Sequence, residues 1–200
     1  MKLKNLIFIL LFIIPVSSYG GTKVLFLGDS ISAGQGVEKE EAYPSLIDEI
    51  LKTKGYNVKV INGSISGSTT ASALSRLKWF KRAKIDILVL ALGANDGLRG
   101  LPVIKMKENL DKTILYAQKS GMKIILAGMM IPPNYGKSYT KSFKKVYIDL
   151  AKKYSVVFIP FLLEGVGGNP ELNQADGIHP NRTGQKIIAK HVLKYILEQL

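Results

Sequence analysis

The sequence predicts an α/β chain, a three-layer α/β/α sandwich around a five-stranded, mainly parallel sheet. Three observations carry that expectation. From Lys23 onward, short β-branched or Leu-rich runs alternate with longer amphipathic ones, the pattern of repeated βα units. The short runs are apolar almost throughout, as strands buried on both faces are. Each unusual polar motif also falls at or just beyond the end of such a run, where open α/β sheets bind ligands.

Taken in order, the predicted strands are "KVLFLG" (23–28), "NVKVIN" (57–62), "DILVLAL" (86–92), "KIILAGM" (123–129) and "VVFIP" (156–160). Helix-length stretches near 42–54, 69–83, 103–120, 139–153 and 183–199 separate or follow them. Right-handed crossovers between parallel strands then place helices on both faces of the sheet. Two hundred residues with 46% hydrophobic content supply one well-packed core rather than two, so a single domain is expected.

The first twenty residues do not belong to that domain. "MKLKNLIFILLFIIPVSSYG" sets Lys2 and Lys4 before an unbroken apolar run from Leu6 to Ile14, followed by Pro15 and small polar residues. This is the form of a secretory signal peptide. The run falls well short of the roughly 20 apolar residues that a membrane span needs. Ser18 and Gly20 supply the small-x-small pattern of a cleavage site, so residues 1–20 are read as a signal peptide and 21–200 as the exported domain. The localisation expected is periplasmic or secreted.

Removing residues 1–20 takes away two lysines and no acid, so the formal charge of +13 falls by two to +11. The lysines are scattered over helical segments such as "LKWFKRAK" (77–84) and "KSFKKVY" (141–147). That dispersion reads first as a solubility surface, with transient contact with an anionic membrane as a further partner and nucleic acid not expected. With no cysteine, neither disulfide nor thiolate chemistry is available, and two histidines are too few for an ordinary zinc site. No metal and no organic cofactor is expected.

The chemistry sits in the strand-end motifs. "GDS" follows the first strand, "GSISGS" the second, "GAND" the third, "IPPNYG" the fourth, and "ADGIHP" comes after the fifth. Gly28 permits a tight turn off the first strand and puts Ser30 at the start of the next segment, where a serine either caps a helix or acts as a nucleophile. A serine hydroxyl needs a neighbouring base, itself oriented by an acceptor. Asp176 and His179 lie three residues apart on a turn. The carboxylate can therefore bond Nδ1–H and leave Nε2 free for the serine proton. Gly67 allows close backbone approach, and the amide of Asn95 can donate to a developing oxyanion without carrying charge. His191 lies on a helical apolar pattern and is assigned a structural role. Asp29 and Asp96 are read as loop-fixing acceptors.

The four blocks "GDSIS", the glycine of "SISG", "GAND" and "DGIHP" stand in the order and spacing of the SGNH (GDSL-type) hydrolases, and the sequence resembles that family along nearly all of residues 21–200. "NDGLRG" (95–100), "PNYG" (133–136) and "DGIHPNR" (176–182) resemble the exported multifunctional acyl thioesterase, protease and lysophospholipase subgroup. The resemblance implies a flavodoxin-like sandwich, with Ser30 as nucleophile, His179 as general base and acid, and Asp176 as its orienter. It implies an oxyanion hole of the Ser30 and Gly67 N–H groups with the Asn95 side chain. It also implies a "DGLRG" loop that moves over a bound acyl chain, with Leu98, Leu101, Ile131 and Pro132 shaping the substrate groove.

The expected function is hydrolysis of esters and thioesters of single-chain acyl groups by a monomeric serine hydrolase acting on a small-molecule substrate. Two rivals remain open: a carbohydrate O-acetylesterase on the same fold, and a noncatalytic protein that binds anionic membranes. Nucleotide binding through "GDSISAGQG" is excluded, because G-x-x-x-x-G-K-[ST] is missing and Lys39 stands where G-x-G-x-x-G needs glycine.

Overall fold

A computed structural model describes residues 20–200. The predicted signal peptide, apart from Gly20, lies outside the described residues.

Five strands form one sheet: β1 (Thr22–Gly28), β2 (Val58–Asn62), β3 (Ile87–Ala91), β4 (Lys123–Ala127) and β5 (Val157–Ile159). Their order is β2-β1-β3-β4-β5, and every pairing is parallel. The interior strands β1, β3 and β4 are the most buried, with Val24 to Leu27 and Leu88 to Leu90 fully enclosed. The edge strand β2 alternates instead and exposes Lys59, a charge that discourages edge pairing with another chain.

The helices are α1 (Ser30–Ala33), α2 (Tyr43–Thr53), α3 (Ala73–Trp79), α4 (Ala94–Leu98), α5 (Val103–Lys119), α6 (Lys137–Tyr154) and α7 (Arg182–Leu197). In α5 the buried residues Met106, Leu110, Thr113, Ile114 and Ala117 recur every three or four positions, which makes one apolar stripe. The same spacing recurs in α6 with Phe143, Val146, Tyr147 and Leu150. α3, α5 and α6 pack side by side, and α2 packs against α7. These are the two outer layers of the predicted sandwich.

Two expected elements differ in detail. The stretch 69–83 is not one helix but α3 flanked by 3₁₀ turns at Thr70–Ser72 and Lys81–Ala83. Asp96 holds Thr70 from outside the helix, and Lys84 ends the segment in a left-handed conformation, φ 52°. The fourth strand stops at Ala127 rather than 129. Gly128 donates to Ile159 O and accepts from Leu162 N, and a Cβ there would lie 2.6 Å from Pro160 O. That close crossing bends the chain away from the ladder.

β1 pairs with β2 on one side and β3 on the other, and the chain leaves it in opposite directions across the sheet. The crevice at the carboxyl ends of β1 and β3 is thus the topological switch point.

Candidate active site

Gly28, the last residue of β1, has no left-handed backbone angle. What demands glycine is space: a Cβ would lie 2.3 Å from Ser32 Oγ. Asp29 then leaves the strand in an extended conformation and caps α1, its Oδ1 accepting from the Ile31 N–H at 3.1 Å. The helix cap is therefore Asp29, and Ser30 is the first helical residue, 8% exposed. Its hydroxyl is not used for capping and is free for other work.

That hydroxyl meets His179. The Oγ to Nε2 distance is 2.8 Å across 149 residues of sequence. On the far side of the ring, Nδ1 lies 2.6 Å from Asp176 Oδ2. Asp176 Oδ1 also accepts from the Ile178 and His179 N–H groups at 2.9 and 3.0 Å. Those donors, the His179 backbone first, pull the carboxyl down from its ordinary value to about 2. Gly177, at φ 69°, makes the turn that lets one carboxylate face both its own backbone and the imidazole.

The loop is tied to the rest of the fold by amides. Gln174 N–H donates to His179 O, and its Nε2 donates to Gln35 O at 2.7 Å and Pro180 O at 3.2 Å. Gln185 is fully buried in α7, where its Oε1 accepts from Tyr43 N and its Nε2 donates to Ile31 O. These two glutamines couple the chain after Ser30 to the chain around His179. Sequence reading missed both, because a glutamine in a loop or helix carries no local mark of a partner some 140 residues away.

Gly67 follows β2 with φ 76°, and Asn95 lies in the first turn of α4 after β3. Among the described residues neither the Ser30 nor the Gly67 N–H meets an acceptor. The Gly67 carbonyl is held instead by Arg99 Nη2 at 3.0 Å. Asn95 Nδ2 donates one hydrogen to Ser68 O at 3.0 Å, which leaves its second for a ligand. Asp96 is buried and accepts from Thr70 N and Thr70 Oγ1 at 2.9 and 2.6 Å. It fixes the loop after β2 to α4, as its assignment as a loop acceptor requires.

An apolar cavity of about 310 Å³ adjoins these groups. Its wall includes Ile31, Ala94 and Ile178, the chain neighbours of Ser30, Asn95 and His179, as well as the predicted Leu98, Ile131 and Pro132. Leu101 does not belong to it. That residue is 37% exposed, and its carbonyl accepts from Tyr139 Oη at 2.7 Å, while Tyr135 Oη holds the Leu98 carbonyl at 2.8 Å. The loop 98–101 is pinned from behind by two tyrosines, and only its first residue turns inward. Phe161, Leu163 and Gly167, from the loop after β5, complete the wall. Their signal in the sequence is the apolar "FLLEGVGG" (161–168) where a surface loop should be polar.

His191 stands apart from this cluster, with Nε2 3.2 Å from Phe161 O and its ring edge-on to Tyr195. Among the described residues no group of three or more His, Asp or Glu side chains converges as a metal set would.

A parallel α/β sandwich whose strand ends hold a hydrogen-bonded Ser–His–Asp set with donors beside it has the form of the serine hydrolases. Residues 26–187 match the GDSL-like Lipase/Acylhydrolase family, and the chain belongs to that family. An arylesterase of Vibrio mimicus is 40% identical over 193 residues, 96% of each chain. The Escherichia coli K12 protein named thioesterase 1/protease 1/lysophospholipase L1 is 33% identical over 96% of this chain and 91% of its own. A crystal structure of TesA superposes with a TM-score of 0.86 at 38% identity, covering 90% of this chain and 100% of that one.

Proposed function

We propose that this chain is a serine esterase that hydrolyses carboxylic esters and thioesters of single-chain acyl groups through an acyl-Ser30 intermediate. The observation that carries the reading is the 2.8 Å Ser30–His179 contact beside an apolar cavity of about 310 Å³. Neutral His179 takes the hydroxyl proton at Nε2 as Oγ attacks the acyl carbonyl. Asp176 stabilises the imidazolium through Nδ1–H and keeps the ring in that tautomer. The oxyanion forms against the Ser30 and Gly67 N–H groups and the spare Asn95 amide hydrogen. His179 then returns its proton to the leaving alcohol or thiol, and the same base activates water for deacylation.

The relatives named arylesterase and thioesterase 1/protease 1/lysophospholipase L1 support this chemistry. The cavity wall is mostly aliphatic side chains, methionines and Phe161, with Asn173 its one polar side chain, which suits an acyl chain better than the sugar ring of a carbohydrate acetate. The working form proposed is a monomer, exported on cleavage after Gly20, with a small acyl ester as substrate and transient contact with an anionic membrane surface. N-terminal sequencing of the exported protein tests the cleavage.

The activity is tested by hydrolysis of p-nitrophenyl esters from acetyl to palmitoyl, with Ser30→Ala and His179→Ala beside the parent. The expected result is a medium- or long-chain optimum that falls by about 10⁴-fold or more in either variant. An acetyl-only profile would move the assignment to a carbohydrate deacetylase. Undiminished activity in Ser30→Ala would remove Ser30 as nucleophile.

A further inference from the structure

The lysines look dispersed in the sequence, but one stretch concentrates them. Residues 50–85 contain eight cations and no acid. Arg76 is spent inside the fold, its Nη2 donating to the Gly28 and Gly63 carbonyls. Lys78, Lys81, Arg82 and Lys84 are exposed, and among the described residues none of them enters an ion pair. Between them stands Trp79, 69% exposed, the most exposed large apolar side chain among the described residues.

The local fold explains why it points outward. Phe80 takes the inward position: a Cβ on Gly63 would lie 2.7 Å from its ring, and the same glycine packs on Leu25. The following 3₁₀ turn is anchored by Lys23 Nζ donating to Ala83 O at 2.7 Å, and Lys84 turns the chain into β3. Lys78 Nζ lies over the Tyr116 ring, 5.7 Å from its centre. Beside it, Lys81, Lys84, Tyr116 and Ser120 border a groove of about 420 Å³. Asp86, also on the groove, already accepts the Lys23 N–H at 2.7 Å. The turn sits at the amino end of β1, whereas the Ser30 site lies beyond its carboxyl end.

We propose that Trp79, with Lys78, Lys81, Arg82 and Lys84 around it, is a docking face for an anionic phospholipid surface. An indole as exposed as that of Trp79 suits the boundary between headgroups and acyl chains, where its apolar ring and polar N–H both find partners. Each lysine or arginine near such a surface strengthens binding by about fivefold at moderate salt. A nucleic acid or acidic polysaccharide would use the cations but would not draw the indole into hydrocarbon. The face rests on the membrane-contact part of the proposed function and not on the esterase part. Docked this way, the protein holds its active site away from the bilayer, toward single-chain esters that have left it.

Trp79 is the only tryptophan in the chain, so its fluorescence reports this face alone. The test titrates the purified protein with vesicles of phosphatidylcholine containing one-third phosphatidylglycerol, with pure phosphatidylcholine as comparison. The expected result is a blue shift with the anionic vesicles, quenching by lipids brominated on their acyl chains, and loss of both at high salt. Lys81→Glu with Lys84→Glu should weaken binding at least tenfold while leaving hydrolysis of a soluble p-nitrophenyl ester unchanged, which shows that the variant is folded. Ser30→Ala should bind like the parent, so failure of the esterase reading and failure of the docking face give different results. No shift with anionic vesicles, or an equal shift with both kinds, overturns the proposal. A response to dextran sulfate without quenching by brominated lipid assigns the face to anionic polymers instead.

Discussion

Two carboxylates flank the contact between Ser30 and His179, and they are held in opposite ways. Asp176 is on an exposed turn, with 43% of its side chain in solvent, yet three hydrogen bonds converge on it and its pKa falls to about 2. Asp29 is 2% exposed, spends Oδ1 on the cap of α1 and has no partner for Oδ2 among the described residues. Burial raises its pKa to about 6, against the opposing pull of the Ile31 N–H, His179 and Arg76. The difference shows that directed donors, not proximity to the imidazole, decide which acid keeps its charge where the proposed relay needs it. Asp96 is buried like Asp29 but differs from it in being hydrogen-bonded at both oxygens, by Thr70.

The largest effect should come from breaking the satisfied member. Asp176→Asn keeps an oxygen for the backbone donors but turns an amide toward Nδ1, which favours the wrong tautomer of His179. A loss of about 10⁴-fold in kcat, with KM little changed, is expected in ester hydrolysis. A loss of tenfold or less would mean that the carboxylate only holds the loop.

Asp29 makes the converse prediction for stability. Its folded pKa, about 6, lies above the ordinary 3.8, so the folded state binds the extra proton between these values. Its contribution is full below about pH 4 and is lost as pH rises through 6, by up to roughly 3 kcal/mol. Asp176 has the opposite sign: its stabilisation is present above 3.8 and lost as pH falls toward 2. Urea unfolding between pH 4 and 7 should show a decline in the parent that Asp29→Asn lacks. Equal slopes in the two proteins would contradict the buried, unpaired state of Oδ2.

Thr70→Val removes one of the two donors to Asp96 and leaves it with the backbone donor alone. Removing one partner of a buried carboxylate costs about 1–3 kcal/mol, readable as a lower urea midpoint at pH 7. The smallest effect is expected from Gln174→Ala, which cuts the strap to Gln35 O while leaving the Asp176–His179 pair intact. A drop in kcat of about tenfold with unchanged KM fits a loosened loop, and a Gln174→Glu variant, which cannot donate to Gln35 O, should not restore it.

Much of this was legible in the sequence. The strand cores could be read because burial on both faces demands apolar residues at every position, as in "ILVLA" of β3. The strand-end motifs stood out because Gly, Asn, Asp and Ser there serve turns and ligands rather than packing. Less legible were features set by partners distant in the chain. That Asp29 rather than Ser30 caps α1 is a choice between adjacent residues that spacing cannot make. Leu98 and Leu101 look alike in "DGLRGL", and a tyrosine holds the carbonyl of each, yet only the Leu98 side chain lines the cavity while Leu101 stays exposed.

The sequence by itself determined which elements form and which reactive groups stand at their ends, because periodicity, turn chemistry and side-chain identity act over a few residues. Only the tertiary structure decided that Ser30 and His179 meet across 149 residues, and that two glutamines hold them there. It also decided that one carboxylate is charged by its donors while another is driven toward neutrality by burial. Desolvation and hydrogen-bond geometry depend on what the rest of the chain packs around a group, and no local pattern carries that information.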